Sequence, residues 1–155
     1  MQEKQPKIQE SEIRLAGKFP VITQERDRLI SGYTDLDACI TDLPVVVFGD
    51  HSCSLKYVDF PFVRGADGTQ LLKTDENVMR MKFLCEYLKT IAIENAGRYE
   101  RHFKYLKNQR VPVPSLAEQD RIISEVEKLE AKIAAARAVL DAAPARKQMI
   151  FEKWL

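Results

Sequence analysis

The chain has no surplus of charge. Its 24 Lys and Arg stand against 23 Asp and Glu, for a formal net charge of +1 over 155 residues. That excludes a global basic footprint, so any attraction to a polyanion must be local. Cysteine is scarce: Cys39, Cys53 and Cys85 are odd in number and form no CxxC pair. With no secretory signal at the start, they read as reduced thiols of a cytoplasmic protein rather than a disulfide framework. The histidines, His51 and His102, lie too far from one another and from the cysteines for a standard zinc signature. Neither a metal nor another cofactor is expected. No apolar run approaches the roughly 18 residues that span a bilayer, so no membrane partner is expected. Glycine is also sparse, and Gly65-Ala66-Asp67-Gly68 has neither the spacing nor the following GK[ST] of a phosphate loop; it reads as a hairpin turn. Internal repeats and low-complexity tracts are absent. What remains is ordinary globular composition, 45% hydrophobic and 30% charged, enough for one domain with an appendage.

The chain is organised around Arg110–Leu140. Pro112 and Pro114 alternate with Val111 and Val113. Each proline fixes its own φ and biases the residue before it away from helix, so this piece is extended. Ser115 followed by Glu118 has the spacing of a capping box. Beyond it, Ile122, Val126, Leu129, Ile133, Ala136 and Leu140 recur at alternating spacings of four and three. This is the 3.5-residue period of a coiled-coil seam. The helix to Leu140 would be about 39 Å long, with Pro144 interrupting it and Ala145–Leu155 able to resume it. A stripe of this kind is buried either on its own domain or by a partner helix. The strict period and the small residues Ala134, Ala135, Ala136 and Ala138 favour a partner helix, with a homodimer as the expected arrangement.

The rest divides by pattern. Residues 1–12 are polar and aperiodic, a flexible lead-in. Val21-Ile22-Thr23 is a short strand, Leu29–Thr34 a turn or strand around Gly32, and 35–41 a connector. Pro44–Phe48 is a continuous β-branched and aromatic run, the pattern of a strand buried on both faces. Leu55–Phe60 alternates, the run to Val63 continues it, and Gln70–Lys73 is a further strand. Asn77–Asn95 has helical periodicity, with Val78, Met81, Leu84, Cys85, Leu88 and Ile91 on one face. Asp75 or Asn77 would cap it and Asn95-Ala96-Gly97 would stop it. The expectation is an α+β fold: a β-rich domain over 13–111, then an extended linker and long coiled-coil-forming α-helix over 112–155.

Two stretches could carry chemistry. Asp50-His51-Ser52-Cys53 follows the strongest strand, where a base, a metal ligand or a nucleophile could be presented. Neighbours in sequence seldom face one another, and no second acidic cluster supplies further ligands. Asp50 and Ser52 therefore read as turn caps, in a loop offering polar groups to a ligand. The second stretch is Arg98–Arg110. Arg98, Arg101, Lys104, Lys107 and Arg110 stand three apart with Tyr99, Phe103 and Tyr105 interleaved. In a helical or turn conformation such cations draw out a stripe suited to phosphates.

In this order the pieces resemble the specificity subunits of type I restriction–modification systems. The resemblance is carried by Phe19–Thr23 with Ile30–Thr34, then by Pro44–His51 through Lys56–Phe62 to Gly65–Gly68. It is completed by Tyr105-Leu106-Lys107 through Val111–Gln119 to Ile122. It spans residues 13–155. It implies that 13–111 is a target recognition domain reading one half of a bipartite site in double-stranded DNA, and that the long helix is a spacer. It also implies methyltransferase subunits and a motor–nuclease restriction subunit as partners, with no catalytic residue on this chain. Such subunits usually carry two recognition domains and two spacer helices; one of each here resembles a half subunit, completed by antiparallel dimerisation through Ile122, Val126, Leu129, Ile133, Ala136 and Leu140. The family's base-reading residues vary with target. The expected DNA-facing set is therefore the loops flanking the central strand and the basic segment: Tyr33, His51, Ser52, Lys56, Arg64, Arg98, Arg101, His102 and Lys104. The rival readings are a coiled-coil adaptor that binds no DNA and a small hydrolase centred on Asp50, His51 and Cys53.

Overall fold

The computed structural model describes residues 7–37, 39–66, 68–91 and 100–155. Strands β1 (Phe19–Ile22), β2 (Gly32–Thr34), β3 (Cys39–Ile40), β4 (Val45–Gly49), β5 (Leu55–Val58), β6 (Phe62–Arg64) and β7 (Thr69–Leu72) precede helices α1 (Met81–Thr90), α2 (Phe103–Leu106) and α3 (Leu116–Trp154). One sheet runs β2-β1-β6-β3, with β1 parallel to β6 and the outer pairs antiparallel. The other is the antiparallel set β5-β4-β7. The architecture is thus a mixed α+β fold with a long C-terminal helix.

The continuous apolar run of β4 has a direct structural reason. Val45 and Val47 point into a core with Ile22, Ile40, Val58 and Phe62, between the two sheets. Val46 and Phe48 point the other way, into a core with Met81, Phe83, Leu84, Cys85, Leu88 and Leu106. β4 is therefore the shared wall of two cores, and alternation disappears because neither face meets water. The adjacent β5 does alternate, with Lys56 and Val58 buried and Leu55 and Tyr57 half-buried.

Several expectations are corrected by packing. The connector at 35–41 contains β3, which pairs antiparallel with β6. Within the described lead-in, Ile8 alone is docked, and residues 9–12 are exposed. Ile8 is buried; its N–H donates to the Arg64 carbonyl at 3.1 Å and its carbonyl accepts from Ala66 N–H at 2.7 Å. Helix α1 starts at Met81, and Val78 lies outside it and exposed. Asp75 organises the preceding turn by accepting from Asn77 N–H at 2.9 Å. The N–H groups at the start of α1 are instead taken by one distant and one nearby side chain: Arg80 N–H donates to Gln119 Oε1 at 2.7 Å, and Met81 N–H to Glu76 Oε1 at 2.8 Å. The expected stop at 95–97 lies outside the described residues.

Cys85 supports a pH prediction. Burial in the α1 core pushes its thiol from 9.0 up to about 11. A group raised on folding contributes stability that is full below its unfolded value and lost as pH climbs through the folded one. Between pH 9 and 11 the native state should therefore lose about 2–3 kcal/mol through Cys85 alone. Urea unfolding of the wild type and Cys85→Ala across that window should show the extra alkaline loss in the wild type only.

Helix α3 is longer than its sequence pattern suggests, 39 residues or about 58 Å. Ser115 Oγ accepts from Glu118 N–H at 3.3 Å, but Glu118 turns its carboxylate to Arg121 at 2.5 Å, so only one arm of the expected capping box forms. Pro144 lies inside the helix and does not interrupt it. It removes one donor to the Leu140 carbonyl, a loss that water can make good because this part of the helix is exposed. The first turns of α3 dock on the domain. Ile122 and Ile123 pack against the α1 core, Gln119 is fully buried, and Arg80–Asp120 at 2.9 Å and Lys82–Glu127 at 3.9 Å bridge the two elements. Ile122, expected at a partner interface, is thus engaged by its own domain, and Val126 is half-buried. From Leu129 onward the stripe is exposed.

Candidate nucleic-acid interface

The loops at one end of β4 are held together by long-range hydrogen bonds. Asp50 N–H donates to Gly68 O at 2.5 Å, and Gly68 sits at φ +66° with the Gln24 amide against it. Only glycine adopts that backbone cheaply, and a Cβ there would also meet Gln24 Oε1 at 2.7 Å. Gln24 Oε1 accepts from His51 N–H at 3.1 Å, and its backbone carbonyl accepts from Ser54 Oγ at 3.0 Å. Arg26 Nε donates to the Ser52 carbonyl at 2.7 Å. The loop after β1, the turn after β4 and the β6–β7 turn thereby form one rigid platform.

The basic segment is anchored to this platform through Asp50. Its carbonyl accepts from His102 N–H at 2.8 Å and lies 3.0 Å from His102 Nδ1, and its Oδ1 accepts from Phe103 N–H at 2.8 Å. Asp50 is itself buried. It therefore caps the turn at Phe103, the structural reading of that carboxylate. Ser52 Oγ likewise accepts from Ser54 N–H at 3.2 Å. Cys53 sits at φ 56°, and burial is the first cause of a raised thiol pKa, with Asp50 adding and Arg26 opposing. A raised thiol is the reverse of an activated nucleophile. Among the described residues no group of His, Cys, Asp and Glu is arranged to hold a metal ion.

The expected DNA-facing residues fall into distinct classes. His102 is fully buried against Asp50, and the structure takes it out of the surface. Lys56 is buried too, because its Nζ reaches inward to the Thr23 carbonyl at 3.0 Å; burial lowers its pKa. Arg64 is half-buried with its guanidinium turned onto Thr69, Nε to Oγ1 at 2.9 Å and Nη2 to the carbonyl. Its fork is spent on its own turn rather than free for a base edge. Tyr33 is half-buried in β2, its backbone exchanging bonds with Arg14 at 2.8 and 2.9 Å. His51 and Ser52 are half-buried in the platform. Arg98 lies outside the described residues. Arg101 and Lys104 are exposed, but Lys104 is paired with Glu100 at 2.8 Å and lies over the Tyr105 ring at 4.7 Å.

Helix α2 is a single turn followed by a turn at 107–108, and of the five cations only Lys104 lies on it. Arg101, Lys107 and Arg110 are nonetheless exposed and make no ion pair among the described residues. Gln24 and Arg26, outside the expected set, tie the β1 loop to the β4 turn. The only local signal was a polar run, Thr23–Arg28, between two strands. Beside the platform, a cleft of about 870 Å³ opens between the lead-in and the β1 loop. Glu10 and Glu25 line it, and Arg28 is paired with Glu25 at 3.4 Å, a poor match to phosphate. The fold and site define an α+β domain with a pinned loop platform, a basic segment and a projecting helix. No protein-family model matches this chain, and no curated protein does.

Proposed function

We propose that this chain is the DNA-recognition component of a type I restriction–modification system: a half specificity subunit that reads one half-site and positions methyltransferase and restriction subunits, without catalytic residues or a cofactor of its own. The observation that carries the reading is the pairing of the basic segment with the platform. Arg101 immediately precedes His102, which Asp50 clamps, and Arg101, Lys107 and Arg110 remain free to meet phosphates. Arg26, His51 and Ser52 stand on the platform itself, where groups held by a rigid scaffold can be aimed at base edges. The exposed stripe of α3 supports a homodimer through the long helix. The near-zero net charge makes the methyltransferase surface part of tight binding. A second reading, a coiled-coil adaptor, is favoured by that charge balance together with the same exposed stripe.

The test is selection from random duplex DNA at graded salt, with and without the methyltransferase subunits, and sequencing of the retained fraction. An enriched bipartite motif with inverted half-sites is expected. Retention without enrichment would remove sequence reading, and no retention even with the partner would leave the adaptor.

A further inference from the structure

The exposed run of α3 holds a stripe whose sizes match when it is reversed. Because the helix continues through Pro144, the 3.5-residue spacing extends from Leu129, Ile133, Ala136 and Leu140 to Ala143, Lys147, Ile150 and Trp154. The bulky members are well exposed: Leu129 58%, Ile133 51%, Leu140 70%, Ile150 59% and Trp154 79%. Upstream, the same stripe is already used. Gln119 is fully buried with both amide atoms bonded inside the domain, and Ile122 packs on the α1 core. A partner helix can take the stripe only from Leu129 onward.

We propose that a second copy of this chain covers this face, antiparallel, with the two-fold axis passing between Asp141 and Ala142. This rests on the homodimer reading above and adds its register. About that axis Leu129 meets the partner's Trp154, Ile133 meets the partner's Ile150, Ala136 meets the partner's Lys147, and Leu140 meets the partner's Ala143. Bulky residues fill the two ends, and large meets small near the centre, as interdigitating layers require. The long stem of Lys147 crosses a small alanine and carries its ammonium out to water. Leu129, Ile133, Leu140, Ile150 and Trp154 from both copies would bury roughly 1,000–1,500 Å² in all, within reach of a specific interface.

The alternatives fail on particular residues. Parallel in-register helices set Lys147 on the partner's Lys147 inside the seam, an unpaired burial of charge. An axis at Ala138 opposes Arg137 to the partner's Arg137 and Leu129 to the partner's Lys147. An axis between Ala134 and Ala135 is the strongest on charge, matching Glu130 with the partner's Arg137 and Glu125 with the partner's Arg146. Yet it places Ile150 opposite Gln119, which the domain has already buried, and Trp154 opposite Ser115, a small exposed cap that offers little to cover it. Rim ion pairs contribute little in water, whereas two uncovered large side chains per copy forfeit much of the buried area. The same weighing tolerates the Lys132 and Lys153 approach that the chosen axis creates at the solvated rim.

Spin labels report the register directly. Ala131 and Glu152 are exposed and lie on the side of α3 away from the stripe. Each would carry a label on an introduced cysteine in the full chain, with Cys39 and Cys53 changed to serine and Cys85 left in the core. The expected result is equal separations at the two sites, both offset by about 32 Å along the helix axis. Offsets of about 10 Å at Ala131 and about 52 Å at Glu152 would establish the axis between Ala134 and Ala135. That outcome overturns the register and leaves the homodimer standing. No axial offset at either site means parallel helices and overturns it as well. Sedimentation as a folded monomer at tens of micromolar would remove both the register and the homodimer, while leaving DNA reading to its own test.

Discussion

Replacing Gln119 by leucine is expected to destabilise the protein by about 3–5 kcal/mol, although volume and helix propensity hardly change. Gln119 is fully buried where α3 meets α1. Its Oε1 accepts from Arg80 N–H at 2.7 Å, and its Nε2 donates to the carbonyls of Val78 at 3.0 Å and Pro114 at 2.8 Å. One side chain thus satisfies a donor at the start of α1 and acceptors on two connecting segments. Leucine supplies none of these bonds, and each buried group left without a partner costs about 1–3 kcal/mol. Against a total stability of about 5–15 kcal/mol, that is a large fraction. The measurement is the urea midpoint, with amide exchange of Arg80 as the local report. The Arg80–Asp120 pair beside it is a control. Its partners are 36% and 53% exposed, so breaking it with Asp120→Asn should matter far less. A Gln119→Leu protein as stable as wild type would mean that α3 docks through Ile122 and Ile123 alone.

Reversing charge at Arg101, Lys107 and Arg110 is expected to abolish DNA retention at physiological salt. These cations are exposed and unpaired among the described residues. If each contacts one phosphate, neutralising all three should flatten the slope of log affinity against log salt by about 2.7, and reversal adds repulsion. Fluorescence anisotropy on a random duplex across a salt series reads both. Lys104→Glu is the internal comparison. Lys104 already faces Glu100 at 2.8 Å, so its loss should change the slope less than loss of Arg101. An unchanged slope in the triple variant would place any DNA contacts elsewhere and move weight to the adaptor reading.

How far the chain could be read in advance depends on the range of the signal. The β4 run and the β5 alternation are patterns of neighbouring residues, and both were legible. So was the apolar face of α1 at Met81, Leu84, Cys85 and Leu88. The Ser115 cap was legible because its acceptor and donor lie three residues apart. The site was less so. His102 and Lys56 resemble surface ligands in sequence, since polar residues usually face water. What buries them is contact across 52 residues to the Asp50 carbonyl and across 33 to the Thr23 carbonyl. Arg64 was misjudged for a related reason, its guanidinium being folded onto the turn that follows it. Arg101, Lys107 and Arg110 were visible as charge, but which of the regularly spaced cations stays free depends on where Glu100 points.

By itself the sequence determined the α+β composition, the doubly buried central strand and the long capped helix with its 3.5-residue stripe. These follow from side-chain period, turn chemistry and capping, all of which act over a few residues. Only the tertiary structure decided where that stripe becomes free, and it did so by spending Gln119 and Ile122 on the domain. It also decided that Pro144 is tolerated, that Ile8 is buried beside β6, and that Asp50 caps the turn at Phe103. For Gln119 and Asp50 the physical reason is the same. A buried polar group must find a partner, and in a folded chain that partner is chosen by which distant segments pack together.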